Sequence, residues 1–164
     1  MDHVDFITHQ WEAERPDLDV TAMGIIGRVA RLYLAYQKGM HKTFARYDLN
    51  AAKFDVLATL RRAGAPYSLS PGELLEATMV ASGTMTNRID RLVTDGLAQR
   101  NVNPKDSRSF LIGLTDKGLA LIDEVVTEHV KTQAGLIKGL SADEVETLNV
   151  LLGKALVAAS DDET

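Results

Sequence analysis

Residues 82–118 read SGTMTNRIDRLVTDGLAQRNVNPKDSRSFLIGLTDKG, from Ser82 to Gly118, and their order decides the fold. Ser82 is a good helix cap, and Met85, Ile89, Leu92 and Val93 follow at the spacing of one apolar helix face. Gly96 is a helix stop. Residues 97–102 and 108–114 read as two strands, with Asn103-Pro104-Lys105-Asp106 as the turn between them. Thr115 then caps a further helix. The predicted order is helix, strand, charged tip, strand, helix.

The first of these helices has a second face. Thr84, Asn87 and Arg91 lie opposite the apolar stripe. They are short or planar hydrogen-bonding groups of the kind that reach base edges in a major groove, Asn suiting adenine and Arg suiting guanine. The hydroxyls of Ser82, Thr84 and Thr86 sit near the helix start, where the dipole favours phosphate. The hairpin tip adds Lys105 and Arg108, with Asp106 placed to brace Arg108. A solvated amphipathic helix would look the same in isolation. The charged hairpin directly behind it shifts the reading to a winged helix-turn-helix that contacts DNA.

Charge distribution supports that placement. The chain of 164 residues has a net charge of −5. Residues 1–81 carry −1, residues 82–118 carry +2 and residues 119–164 carry −6. The one locally basic segment is the candidate DNA reader, and the acidic last third should face away from phosphate. Zero cysteines exclude disulfides, thiol redox sensing and Cys-ligated metals. No run of apolar residues is long enough to span a membrane. The acidic N-terminus lacks a signal-peptide core, so a cytoplasmic location is expected.

The rest of the chain reads as helical scaffold, making the expected class mainly α with a small β-hairpin wing. A short helix is predicted over about 4–14 and a long one over about 21–47, whose apolar residues Ile25, Val29, Leu32, Tyr36 and Met40 recur at three- and four-residue steps. Asn50 caps the next, with Phe54, Leu57, Ala58 and Leu60 inward, and Gly64-Ala65-Pro66 ends it. Ser70-Pro71-Gly72-Glu73 combines a cap, a first-turn Pro and a capping-box Glu. Thr115 opens a helix to about 137, and Ser141 with Glu144 opens a last one to about 159.

At this point the chain resembles the MarR family of winged-helix regulators. That family's wing pattern stands here as Asp106-Ser107-Arg108 followed by Leu114-Thr115-Asp116-Lys117-Gly118. The upstream match runs from Ser82-Gly83-Thr84-Met85-Thr86 through Arg91-Leu92 to Gly96-Leu97 and Arg100. The resemblance implies one MarR-type domain over 1–164. Helices in about 1–47 and 119–160 would hold a homodimer, and about 50–118 would form the DNA-binding lobe. It also implies a repressor on a pseudo-palindromic operator, with the two recognition helices about one turn of DNA apart.

The N-terminal extension Trp11-Glu12-Ala13-Glu14-Arg15-Pro16-Asp17-Leu18-Asp19 is similar to the urate-responsive branch of that family. The resemblance implies a ligand site of Trp11, Arg15, Asp55, Arg88 and Arg100 for urate or a related anion, with a xanthine-like purine, an aconitate-type carboxylate or no small molecule as alternatives. Independently, Asp55 between Phe54 and Val56 is expected to be partly buried and to need a cation. Arg88, at the edge of the apolar stripe, is expected to point inward and pair with it. No enzyme is expected. His3, His9, His41 and His129 are scattered without metal-ligand spacing, and no phosphate loop or nucleophile elbow is present. No cofactor is expected. His41 is read as a partly buried histidine at the dimer or pocket wall.

Overall fold

The structure, a computed structural model, describes residues 1–78, 85–104 and 106–161. Its order is α1 (His3–Glu14), α2 (Thr21–Ala45), α3 (Ala51–Arg62), β1 (Ser68–Leu69), α4 (Pro71–Ala77), α5 (Met85–Thr94), β2 (Ala98–Asn103), β3 (Asp106–Leu114), α6 (Asp116–Ile137) and α7 (Ala142–Asp161). This is the expected mainly helical winged fold. It carries one strand the sequence reading lacked. β1 pairs antiparallel with β3, Ser68 facing Gly113 and Leu69 facing Ile112, so the wing is rooted in a three-stranded sheet of order β1-β3-β2.

Local chemistry sets the helix ends. The Asn50 side chain accepts from the Lys53 amide at the head of α3. Ser70 and Glu73 form a reciprocal capping box at α4, and Ser141 and Glu144 exchange the same bonds before α7. Asp2 and Asp5 form another at α1. α5 ends on Gly96, whose φ of 70° is the left-handed conformation glycine adopts without strain. There the Leu97 amide donates to the Leu92 carbonyl and the Gly96 amide to the Val93 carbonyl, the paired bonds of a Schellman cap.

The core runs from Met40 to Val125 and draws on α2, α3, α4, α5, the hairpin base and α6. Leu57, Leu60, Leu74, Leu92, Ile112 and Ile122 are fully buried in it. This lobe therefore includes the end of α2 and the start of α6. Outside it the apolar surface is uncovered. The apolar stripe of α2 is buried only near its end: Met40 is buried and Tyr36 half-buried, whereas Ile25, Val29 and Leu32 are exposed. α7 buries none of its described residues, although Leu156 is 70% and Val157 63% exposed. None of the described helices is long and apolar enough to cross a membrane.

Candidate nucleic-acid interface

α5 is packed by the face the apolar spacing indicates. Met85, Ile89 and Leu92 are buried, and Val93 is half-buried against the core. Thr86, Asn87, Asp90, Arg91 and Thr94 are exposed on the opposite side. Three of the candidate DNA contacts, Thr86, Asn87 and Arg91, thus share one outward surface. Ser82, Thr84 and Lys105 lie outside the described residues.

The wing projects as a hairpin whose tip is polar. The Arg108 side chain is 94% exposed. Asp106 accepts from the Arg108 backbone amide at 3.0 Å, while its carboxylate stays 3.7 Å from the guanidinium. The brace is therefore made chiefly to the backbone, and the guanidinium is left to reach outward.

The hairpin is locked to the scaffold at its base. The Thr115 amide donates to the Leu97 carbonyl, and its hydroxyl donates to the Gly96 carbonyl at 2.8 Å. The same hydroxyl oxygen accepts from the Gly118 amide at 3.0 Å, capping α6. Lys117 donates to the Asp95 carbonyl at the end of α5, and Lys53 pairs with the Asp95 carboxylate at 2.6 Å. The end of α5, the wing and the start of α6 are thereby tied at one corner.

Between the heads of α3 and α5 lies a cavity of about 210 Å³, lined by Ala52, Asn87, Arg88 and Arg91. Its character is cationic. Arg88 is half-buried, and its Nη1 is buried with no hydrogen-bond acceptor among the described residues. Ala52, the second residue of α3, brings the first turn of that helix to the same wall. Asp55, half-buried, stands one turn past Ala52. The direct Asp55–Arg88 ion pair expected from the sequence is not among those formed by the described residues. Of the two, Arg88 lines the cavity.

The remaining ligand candidates lie elsewhere. α1 runs antiparallel along the start of α2: a Cβ on Gly27 would meet Val4 at 3.1 Å, and one on Gly24 would meet Thr8 at 3.7 Å. Trp11 lies one turn further along α1 and is 43% exposed. Phe44, which stacks on Phe54 beside Asp55, is some 30 Å further along α2 by helix rise. Within one chain Trp11 is therefore remote from the cavity. Arg15 makes a two-point contact with Asp17 at 2.7 and 2.6 Å at the end of α1. Arg100 pairs with Asp90, which leaves α5 on the side away from Arg88.

One of the four scattered histidines is half-buried in the scaffold. His129 of α6 stacks on Phe44 at 5.7 Å and lies 4.6 Å from the Phe54 ring. Its Nδ1 is buried without a hydrogen-bond partner among the described residues, and burial pushes its pKa below the ordinary value. His41, expected to be the partly buried one, is exposed. No group of three or more potential metal ligands occurs among the described residues.

Comparison with known proteins agrees with this architecture. A family model described as the MarR family matches residues 47–109. The HTH-type transcriptional regulator PecS of Dickeya dadantii is 44% identical, over 92% of this chain and 91% of that protein. A mutant MarR of E. coli solved with operator DNA superposes with a TM-score of 0.69 at 31% identity, covering 89% of this chain and 97% of that one. Bordetella bronchiseptica BpsR, whose DNA binding is regulated by 6-hydroxynicotinic acid, superposes with a TM-score of 0.68 at 29% identity, covering 79% of this chain and 90% of that one. Together, the outward face of α5, the wing behind it and a match along nine-tenths of a known regulator place this chain in the MarR family of DNA-binding transcriptional regulators.

Proposed function

We propose that the protein is a homodimeric repressor that releases a pseudo-palindromic operator when a planar anionic metabolite, with urate as the leading candidate, occupies the cavity beneath α5. The observation that carries this reading is the double placement of Arg91. It lines the cavity with Arg88, and it is also exposed on the face of α5 that would enter the major groove. An anion that draws Arg91 toward Arg88 removes it from DNA. Ligand and operator then compete for one side chain, which supplies the differential affinity that switching requires.

The chemistry of the cavity favours an anion. A buried guanidinium nitrogen without an acceptor is costly, and an oxyanion repays that cost. Urate is a planar monoanion at neutral pH. A xanthine-like purine and an aconitate-type carboxylate present similar acceptors, and guanidinium groups bind both classes. The regulation of BpsR by an aromatic carboxylate supports a ligand of this kind. The domain organisation follows the same reading: 1–47 and 119–160 dimerise and 50–118 bind DNA. The uncovered apolar faces of α2 and α7 supply surface for the dimer.

Calorimetric titration with urate, xanthine and trans-aconitate, with and without a duplex from the protein's own promoter region, tests the switch. One of the three is expected to bind, and saturating duplex is expected to weaken it, because linkage is reciprocal. Binding that is unchanged by duplex, or no binding by any of the three, would remove the anion switch and leave a DNA-binding regulator.

A further inference from the structure

We propose that Lys53 is a positioning residue for base reading: by holding Asp95 it fixes the C-terminal end of α5 against α3, and so sets where Asn87 and Arg91 stand. The inference rests on the reading of α5 as the helix that enters the major groove.

The pair joins two charges that are each misplaced on their own helix. Lys53 is the third residue of α3, where a cation faces the positive end of the helix dipole. Asp95 directly follows Thr94, the last residue of α5, where a carboxylate faces the negative end. Neither charge suits the helix that carries it. Each is neutralised across the gap instead, because the Lys53 ammonium donates to the Asp95 carboxylate at 2.6 Å. The two side chains are 21% and 38% exposed, which limits screening by solvent.

The pair also completes the way α5 is held. Thr115 and Lys117 grip the Gly96 and Asp95 carbonyls from the side of α6. Lys53 holds the Asp95 side chain from α3. The end of α5 is thus fixed from two directions. Asn87 lies eight residues back from Asp95, about 12 Å along the helix axis. A tilt of about 5° about the held end would move it by about 1 Å, enough to spoil a two-point hydrogen bond to a base edge.

A purely structural pair and a direct phosphate contact predict different behaviour. If the pair only stabilised the fold, stability and base discrimination would fall and recover together. If Lys53 gripped phosphate, its loss would weaken every duplex and lower the salt slope.

The test is anisotropy over a range of salt with an operator duplex, its single-base variants and an unrelated duplex, beside thermal midpoints. The proteins are wild type, Lys53→Met, Asp95→Asn, the double variant, Lys53→Arg and Asn87→Ala. Lys53→Met, Asp95→Asn and the double variant are each expected to discriminate between the operator and its variants about three- to tenfold less well than wild type. The double variant keeps the wild-type net charge, so it should bind the unrelated duplex within about twofold of wild type and with the same salt slope. Thermal midpoints should fall in the two single variants, which each leave one misplaced charge unpaired, and recover in the double variant. Lys53→Arg should keep wild-type discrimination. A double variant that regains discrimination together with stability would overturn the proposal. So would a Lys53→Met protein that loses affinity for every duplex alike, with a salt slope lowered by about one. Asn87→Ala tests the reading of α5 by itself. Full discrimination by Asn87→Ala would show that α5 does not read bases and would overturn the inference with it. Relaxed discrimination by Asn87→Ala beside an unchanged Lys53→Met would overturn the role of Lys53 alone.

Discussion

Gly118 on α6 lies directly against the backbone of Leu97: a Cβ at position 118 would stand 1.9 Å from the Leu97 carbonyl oxygen. That carbonyl already accepts the Thr115 amide, so it cannot swing aside without breaking the junction between wing and scaffold. The Leu-Thr-x-x-Gly pattern thus has a physical basis. Thr115 caps the helix and holds the Gly96 carbonyl, and Gly118 permits the approach.

Gly118→Ala is therefore expected to destabilise the fold by about 1–3 kcal/mol or more, as overpacking does. Gly72→Ala is the control, since nothing lies within 4 Å of its added Cβ. Urea unfolding of the two variants checks this. Equal midpoints for both would show that the α6–β2 contact relaxes freely.

The dimer should depend on α7. Leu156→Asp with Val157→Asp places two charges on a face that this chain leaves uncovered. Sedimentation is expected to show a shift toward monomer and a loss of tight operator binding, because two linked half-sites bind more strongly than one. A variant that stays dimeric would move the interface off this face of α7.

Wing and helix should fail differently. Arg108→Ala, at a fully outward guanidinium, is expected to weaken every duplex alike and to lower the salt slope by about one. Asn87→Ala and Arg91→Ala are expected to cost about 1–3 kcal/mol at the base pair read and to relax its identity. Affinity profiling on single-base operator variants separates the two. Uniform losses for Asn87→Ala and Arg91→Ala would assign them to phosphate.

His129 makes stability depend on pH. Burial against Phe44 and Phe54 lowers its pKa, so the folded state resists protonation. Its contribution is full above about 6.5, the unfolded value, and declines as pH falls from there through the folded value. Urea midpoints for wild type and His129→Phe should therefore diverge between about pH 7.5 and about pH 5. Wild type should lose more over that interval. Parallel profiles would show that the stacked imidazole titrates as freely as an exposed one.

The features that were legible are those whose signals are local. Asn50, Ser70 with Glu73, Thr115 and Ser141 with Glu144 each cap the helix they precede, because a cap needs only neighbours along the chain. Met85, Ile89 and Leu92 are buried as spaced. β1 was missed because Ser68 and Leu69 have no periodicity of their own and become strand only by pairing with β3. His129 could not be told from His41 by composition. What separates them is that Phe44 and Phe54, on two other helices, close over His129. The ligand set was the least legible part. Convergence of Trp11, Arg88 and Arg100 depends on tertiary and dimer placement; within one chain Arg100 pairs with Asp90 and α1, which carries Trp11, lies along the start of α2.

The most direct test of the switch is release of a labelled operator duplex from wild type and from Arg88→Ala, followed by anisotropy during titration with urate, xanthine and trans-aconitate. The account predicts that one planar anion releases the duplex from wild type. It predicts that Arg88→Ala still binds the duplex and holds it at concentrations that empty the wild-type protein. Release of both proteins at the same concentration would contradict the account, because the cavity guanidinium would then have no part in sensing the anion.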